Sequence, residues 1–491
     1  MAWLKHPDCI YIGGEWVRAD AREPVVNPAD ESLLIEAPVG SAVQVEAAIA
    51  AARTAFDSGN WPHLPVAARQ AAMTRFLDAI EARRDEIIRM IVAEAGSTQM
   101  LAGFLQYGIP MKHARRTVEL AARPAVTPLP PELTPNAQGG QTLGTGVVVR
   151  EPMGVVAAIS PYNFPFFLNI GKVVPALVAG CTVVLKPSPY TPMEALILGE
   201  IADEAGLPKG ILSIVTGDVE AGRLLSSDPR VDLVHFTGSD AVGALIQAQG
   251  APTLKRIVME LGGKSALIVR PDADLQGAAM AGLGGFTTHC GQGCALTTRL
   301  LVHNSIRPAY VEMLKAMLGH MKIGNPADPS VTYGPLIRAV ARQRTEDYVR
   351  IARDEGATLI SGGQRPAGLE KGFFFEPTLF DNVRNDSRLA QEEVFGPIGA
   401  VIGYDDDEEA LAMANDSSFG LSGAIWSADA GRAYEMALRI RTGGVSINGG
   451  AGTMQSDAPF GGIKRSGYGR EYGEDGLNEF TYQKVISFHA A

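Results

Sequence analysis

The chain has 491 residues and a net charge of −11, from 43 Lys plus Arg against 54 Asp plus Glu. An acidic surface argues against a nucleic-acid backbone as partner, and 46% hydrophobic with 20% charged residues excludes a disordered chain. Four cysteines (Cys9, Cys181, Cys290, Cys294) are too few for a disulfide framework, and MAWLKHPDCI holds no apolar run of signal-peptide length, so a cytoplasmic protein is expected.

At about 150 residues per domain, the length suggests roughly three lobes. The first 60 residues read as short strands and turns around CIYIGGEWV. From Val43 to about Ala122 the period is helical, and Arg69, Ala72, Phe76, Ala79, Ile80 and Arg83 space as an amphipathic stripe. Pro124 to Pro135, with five prolines, predicts an extended crossing segment, and Thr142 to Arg150 an exposed strand.

Gly154 to Val269 alternates most clearly. GVVAAIS is a strand, PFFLNIGKVVPALVAG a helix, TVVLKPS a strand and PMEALILGEIADEAG a helix; ILSIVTG, VDLVHFTGS and KRIVMEL are further strands. This alternation predicts a parallel sheet covered on both faces, with ligands beyond the carboxyl ends of its strands. Gly154 to Leu185 is apolar, but Pro161, Asn163, Pro165, Asn169, Lys172 and Pro175 make it a buried strand–helix–strand rather than a membrane span. A second alternating region runs from Ser265 to about Val445, with ATLISGG, FFFEPTLF and IGAVIGY as strands. Asp405 to Glu409 reads as a solvated turn and helix start. YQKVISFH alternates as a strand should, and its open edge predicts a pairing partner, for which another subunit is one candidate.

Four places could carry chemistry. Cys294 sits among small residues in GQGCALTTR. A thiolate is a good nucleophile when its pKa is lowered, for instance by N–H groups at a helix start; the alternative is an inert buried thiol. His289, Cys290 and Cys294 match no standard zinc spacing, so no metal is expected. Glu260 ends an apolar strand in MELGGKS, where a carboxylate needs a task, an ion pair or a cap. Asn163 in SPYNFPFF is held between prolines; its amide could donate to a developing oxyanion, or it is a turn Asn. The turn Thr237-Gly238-Ser239 precedes a helix and, with LKPSPYTP, could receive phosphate, although no GxGxxG is present.

In this order the segments resemble the aldehyde dehydrogenase superfamily over nearly the whole chain. The likeness is carried by SPYNFP, LKPS, FTGS with Gly243, MELGGK, GQGC, EEVFGP and PFGGIKRSGYGRE. The resemblance implies an α/β fold: a Rossmann-like cofactor domain (1–130 and 152–262), an α/β catalytic domain (263–447, extending to about 470), and a small β oligomerisation flap (131–151 and 471–491). It implies a homotetramer or homodimer, and NAD(P)-dependent oxidation of an aldehyde to the free acid. Cys294 would attack the aldehyde, and Asn163 with the Cys294 N–H would hold the oxyanion. Glu260 would activate the water that hydrolyses the thioester, with Lys172 and Glu471 as a proton path behind it. Lys186 would contact the adenosine ribose, Ser239 the pyrophosphate and Glu393 the nicotinamide ribose, with Phe395 nearby. Ile159, Ser160, Pro161, Tyr162, Ser188, Pro189, Gly238, Leu261 and Gly262 would complete the cofactor site. A carboxylate at 260 favours hydrolysis over transfer to coenzyme A.

Two positions depart from the family pattern. Pro189 stands where Glu usually follows LKPS; the barrier to NADP is gone, yet no Arg or extra Lys stands nearby in sequence, so NAD is expected and NADP admitted. Gly171 replaces a common bulky aromatic. With Gly449-Gly450-Ala451-Gly452, Gly293 and Ala295 small, and Tyr162, Phe166 and Phe167 as walls, this predicts a wide apolar pocket for a bulky hydrophobic or cyclic aldehyde. No Arg or Lys lies between Asn448 and Pro459 to hold a semialdehyde carboxylate. A CoA-acylating or semialdehyde-specific relative, and a silent structural or binding homologue, are the alternatives.

Overall fold

The structure is a computed structural model that describes residues 3–489, excluding the side chains of Thr453 and His489. It is an α/β fold of two sheet-and-helix domains and a small antiparallel flap.

In the first domain the apolar strand Val155–Ile159 lies at the centre. It pairs in parallel with Thr182–Lys186 on one side and Leu233–Thr237 on the other. Leu212–Ile214 extends the first side and Arg256–Glu260 the second. Alternate residues of each strand point to opposite faces. Val156 and Ala158 therefore pack under the helices Pro165–Ala179 and Met193–Glu204. Val155, Ala157 and Ile159 join the opposite core with Val45, Ala48 and Leu225. The direction of strand addition reverses between Ile159 and Thr237, and such a reversal opens a crevice at the carboxyl ends. Gly467–Tyr468 pairs antiparallel with the outer strand Arg256–Glu260.

The second domain holds a seven-stranded sheet. Thr378–Asp381, Ile398–Tyr404, Arg299–His303, Ala266–Val269, Ser422–Trp426 and Gly444–Ile447 run parallel, with Thr358–Ser361 antiparallel at one edge. Only the end of FFFEPTLF is a strand; Phe373 and Phe375 are core residues ahead of Pro377.

The flap contains Val126–Pro135, Gln141–Pro152 and Thr481–His489. The proline-rich segment is a strand at the sheet edge, where a missing N–H costs no ladder bond. Its register shifts between Leu129 and Glu132, around Pro130-Pro131. The strand Thr481–His489 pairs with residues 144–152 of its own chain. The expected limits at 131 and 471 thus differ from the sheet, which begins at Val126 and resumes at Thr481; residues 490 and 491 lie outside the described residues. Gly473–Asn478 is a helix against Ile109–Leu120. Among the described residues no helix is long and apolar enough to cross a membrane.

Candidate active site

The strand reversal opens on a cleft of about 680 Å³. Pro161, Tyr162, Asn163, Gly238, Ser239, Glu260 and Gly262 line it from the first domain, and Cys294, Glu393 and Phe395 from the second. Ile159, Ser160 and Leu261 are buried rather than among its lining residues, and Ser160 Oγ donates to Asn169 Oδ1 at 2.5 Å. Lys186 ends the neighbouring strand and Ser188 and Pro189 follow it, also outside the lining.

Glycines set the close approaches. A Cβ on Gly291, whose φ is +73°, would lie 2.2 Å from the Gly396 carbonyl oxygen, so the GQGC loop can press against the EEVFGP loop. A Cβ on Gly262 would lie 2.4 Å from Glu393 Oε2. Glu393 Oε1 accepts from Gly263 N at 3.0 Å, and burial pushes its carboxyl up to about 7.

Cys294 is half-buried, whereas Cys290 is buried and bonded to Tyr333 Oη at 3.0 Å, its thiol pushed up to about 12 by burial. The expected helix-start environment is not found: Cys294 lies in a turn after the short helical turn Thr288–Gly291. Burial pushes its thiol well above the usual range, and Glu260, Glu393 and Glu471 push it further. Its surroundings therefore hold a neutral thiol, not a preformed thiolate.

Glu260 is 2% exposed and neither oxygen has a hydrogen-bond partner, so it is neither capped nor hydrogen-bonded in an ion pair. Burial pushes its carboxyl well above the carboxylate range; Glu471 adds to this and Lys172 opposes it. Asn163 Nδ2 donates to the Gln292 carbonyl at 2.8 Å. Gln292 is itself fixed, accepting from Ile337 N at 3.0 Å and donating to the His289 carbonyl at 3.1 Å. One of the two amide hydrogens of Asn163 is left over.

Lys172 and Glu471 form a fully buried ion pair at 2.7 Å. Lys172 Nζ also donates to Thr237 Oγ1 at 2.7 Å, and His235 Nε2 comes to 2.8 Å from Glu471 Oε1. Burial alone would raise the Glu471 carboxyl, but Lys172 and His235 hold it down to about 2. His235 was missed from sequence; its one signal was a polar residue inside the apolar run VDLVHFTGS.

At the other end, Ser239 caps the helix Asp240–Gly250, accepting from Val242 N at 3.3 Å. Asp240 in its first turn is engaged by Arg465 at 2.5 Å. Gly243 lets this helix lie against Leu261, since a Cβ there would come within 2.9 Å of Leu261 Cδ2. Lys186 Nζ donates to the Pro187 carbonyl at 3.1 Å, and burial pushes it down to about 8. The Arg338 guanidinium lies 4.2 Å over the ring of Tyr190, the residue that follows Pro189.

The space left by Gly171 is filled. A Cβ there would lie 3.0 Å from Tyr472 Oη and 3.2 Å from its Cε1. Phe166 is no pocket wall either, but stacks on Tyr107 in the core at 5.2 Å. Phe167 meets Tyr472 edge-on at 5.7 Å, and Tyr162 faces Phe395 at 6.1 Å. The expectation of a pocket widened at Gly171 is thereby corrected: a residue 301 positions away supplies the ring that one sequence position lacks.

The chain matches the Aldehyde dehydrogenase family over residues 16–486. It is 38% identical over 481 residues to a putative aldehyde dehydrogenase of Staphylococcus aureus, covering 97% of this chain and 98% of that one. It is similar to a Mycobacterium tuberculosis aldehyde dehydrogenase solved with NAD+ (TM-score 0.92, 39% identity, 98% and 97% of the two chains). It is also similar to a Staphylococcus aureus betaine aldehyde dehydrogenase solved with NAD+ (TM-score 0.94, 35% identity, 99% and 95%).

Proposed function

Because the chain belongs to the aldehyde dehydrogenase family, we propose that it oxidises an uncharged aldehyde to the carboxylic acid with NAD, using Cys294 as nucleophile and Glu260 as base. The observation that carries this reading is the thiol of a half-buried cysteine beside a buried carboxyl that has no other partner, both on one cleft.

Glu260 takes the Cys294 proton as sulfur bonds to the aldehyde carbon. The carbonyl oxygen becomes an oxyanion, held by the remaining Asn163 amide hydrogen and the Cys294 N–H. A bound nicotinamide supplies the hydride acceptor. The acyl group is then a thioester on Cys294. The first proton leaves Glu260 for bulk water, with the buried Glu471–Lys172–His235 group as the proposed path, and Glu260 is again a base. It next takes a proton from water, hydroxide attacks the thioester carbon, the C–S bond breaks, and the leaving Cys294 sulfur takes that proton back from Glu260. The sum is aldehyde, NAD+ and water to acid, NADH and a proton.

The chain's own residues fit the cofactor. Glu393 has one carboxyl oxygen tied to Gly263 N and a second able to accept from a ribose hydroxyl. Gly238 and Ser239 line the cleft at the helix start, a suitable place for phosphate. Two similar enzymes hold NAD+, which supports NAD here. The flap, with Leu133, Val485 and Phe488 exposed, is proposed as the surface of dimer or tetramer assembly.

Cys294→Ala should abolish NADH formation while NAD still binds. Glu260→Gln should accumulate an acyl adduct on Cys294, seen by mass spectrometry of the quenched enzyme. Turnover above a few per cent in Cys294→Ala would overturn the assignment of the nucleophile.

A further inference from the structure

Tyr472 fills the space that Gly171 leaves, and it does so with its polar atom idle. It is 7% exposed, and its hydroxyl has no hydrogen-bond partner. Its backbone is held at φ +61° and ψ 167°, a region nearly closed to non-glycine residues. The ring stands near the reacting groups: Tyr472 follows Glu471, the partner of Lys172, and Phe167 joins it edge-on to Phe164, the neighbour of Asn163.

His113, on the helix Ile109–Leu120, lies against that ring at 4.6 Å. It is 2% exposed and neither ring nitrogen has a partner; the nearby Met454 carbonyl is outside hydrogen-bond geometry. Burial holds the imidazole below its usual range, so it is neutral at pH 7, with one nitrogen donating and the other accepting. Phe167 lies 5.7 Å from Tyr472 and 5.9 Å from His113, and Phe460 lies 6.5 Å from Tyr472. Three buried polar atoms without partners, gathered among aromatic rings, are costly unless a ligand satisfies them.

The chemistry of that ligand follows from the surroundings. Glu260 and Glu471 stand next to Tyr472, which disfavours a carboxylate-bearing substrate. A quaternary ammonium group would suit the rings but leave all three polar atoms unpaired. A neutral oxygen, as hydroxyl or ether, pairs with both side chains. We propose that Tyr472 and His113 form a specificity pair that selects aldehydes carrying a hydroxyl or alkoxy group on an aromatic body. This rests on the oxidation reading above and adds the substrate class.

The test is kcat/KM of the full-length enzyme with NAD for benzaldehyde and its 3- and 4-hydroxy and methoxy forms, in wild type, Tyr472→Phe and His113→Phe. The expected result is a wild-type preference for at least one oxygenated form of roughly tenfold or more, with each variant lowering that ratio several-fold, as for one hydrogen bond. Tyr472→Phe should keep or raise Tm, because it removes an unpartnered hydroxyl. A merely structural role would lower Tm and leave the ratio unchanged, which overturns the proposal. Turnover of all the aldehydes without preference overturns the specificity pair alone. Absence of turnover with every aldehyde overturns the oxidation reading, and the pair with it.

Discussion

Glu260 ends a strand that is otherwise mostly apolar, and it owes its protonation behaviour to burial and to a like charge nearby. A base acts only when ionised, so a raised pKa moves the acid limb of its pH profile upward. Thioester hydrolysis should therefore rise with pH through a limb well above the usual carboxylate range. Glu471→Gln removes one cause of the upward shift and frees Lys172, which lowers it. Single-turnover hydrolysis should then show the limb at lower pH; an unmoved limb would show that Glu260 does not sense Glu471. At Pro189 a carboxylate could accept from the adenosine 2′-hydroxyl and repel a 2′-phosphate. Pro189→Glu should shift the NAD:NADP ratio of kcat/KM toward NAD by roughly tenfold to a hundredfold, as for about 1–3 kcal/mol. Unchanged cofactor ratios would show that the residue does not face the ribose. Cys294, Glu260 and Asn163 were legible as candidates because GQGC, MELGGK and SPYNFP occur together and in order; each alone has a bland reading, since polar residues are common in turns. Tyr472, His113, His235 and Arg338 were not, since their partners lie far away in sequence. A glycine such as Gly171 announces a missing side chain but not what takes its place.

The helices Arg84–Ala95 and Met193–Glu204 meet through two carboxyl groups. Glu94 Oε1 accepts from Met193 N at 3.0 Å, and Glu194 lies fully buried beside Glu94. Burial pushes both carboxyls up. A raised folded-state pKa gives stability that is present below the unfolded value and is lost as pH rises through the folded one. Tm should therefore fall as pH climbs above the ordinary carboxylate range. Glu194→Gln should flatten that fall, by about 1.4 kcal/mol per pH step of shift removed; parallel Tm–pH curves would refute this. The regular elements of the first domain were readable from period and length. The strand Val126–Pro135 was not, because its four prolines argue against a ladder unless the strand lies at an edge, and edge position is a tertiary fact.

At the level of the molecule, the flap presents Val126, Leu129, Leu133 and Leu143 from one pair of strands and Val485, Ile486 and Phe488 from the third, all exposed in the single chain. Such a surface needs cover. Val485→Lys with Ile486→Lys should give a smaller particle by light scattering, with far-UV circular dichroism unchanged. An unchanged mass would move the assembly surface elsewhere.

The pairing of Gly467–Tyr468 with the strand that carries Glu260 also orders events in time. Asn163, Glu260 and Cys294 all leave the ribosome well before Glu471 and Tyr472. Until those two residues arrive, the strand Arg256–Glu260 has a bare edge, Lys172 has no buried counter-ion, and the hollow at Gly171 is open. A nascent chain thus has Cys294 made while the first sheet still lacks its outermost strand. On the proposed mechanism competence comes late, with one short segment, and a partly made chain holds its thiol without the groups that would set it to work.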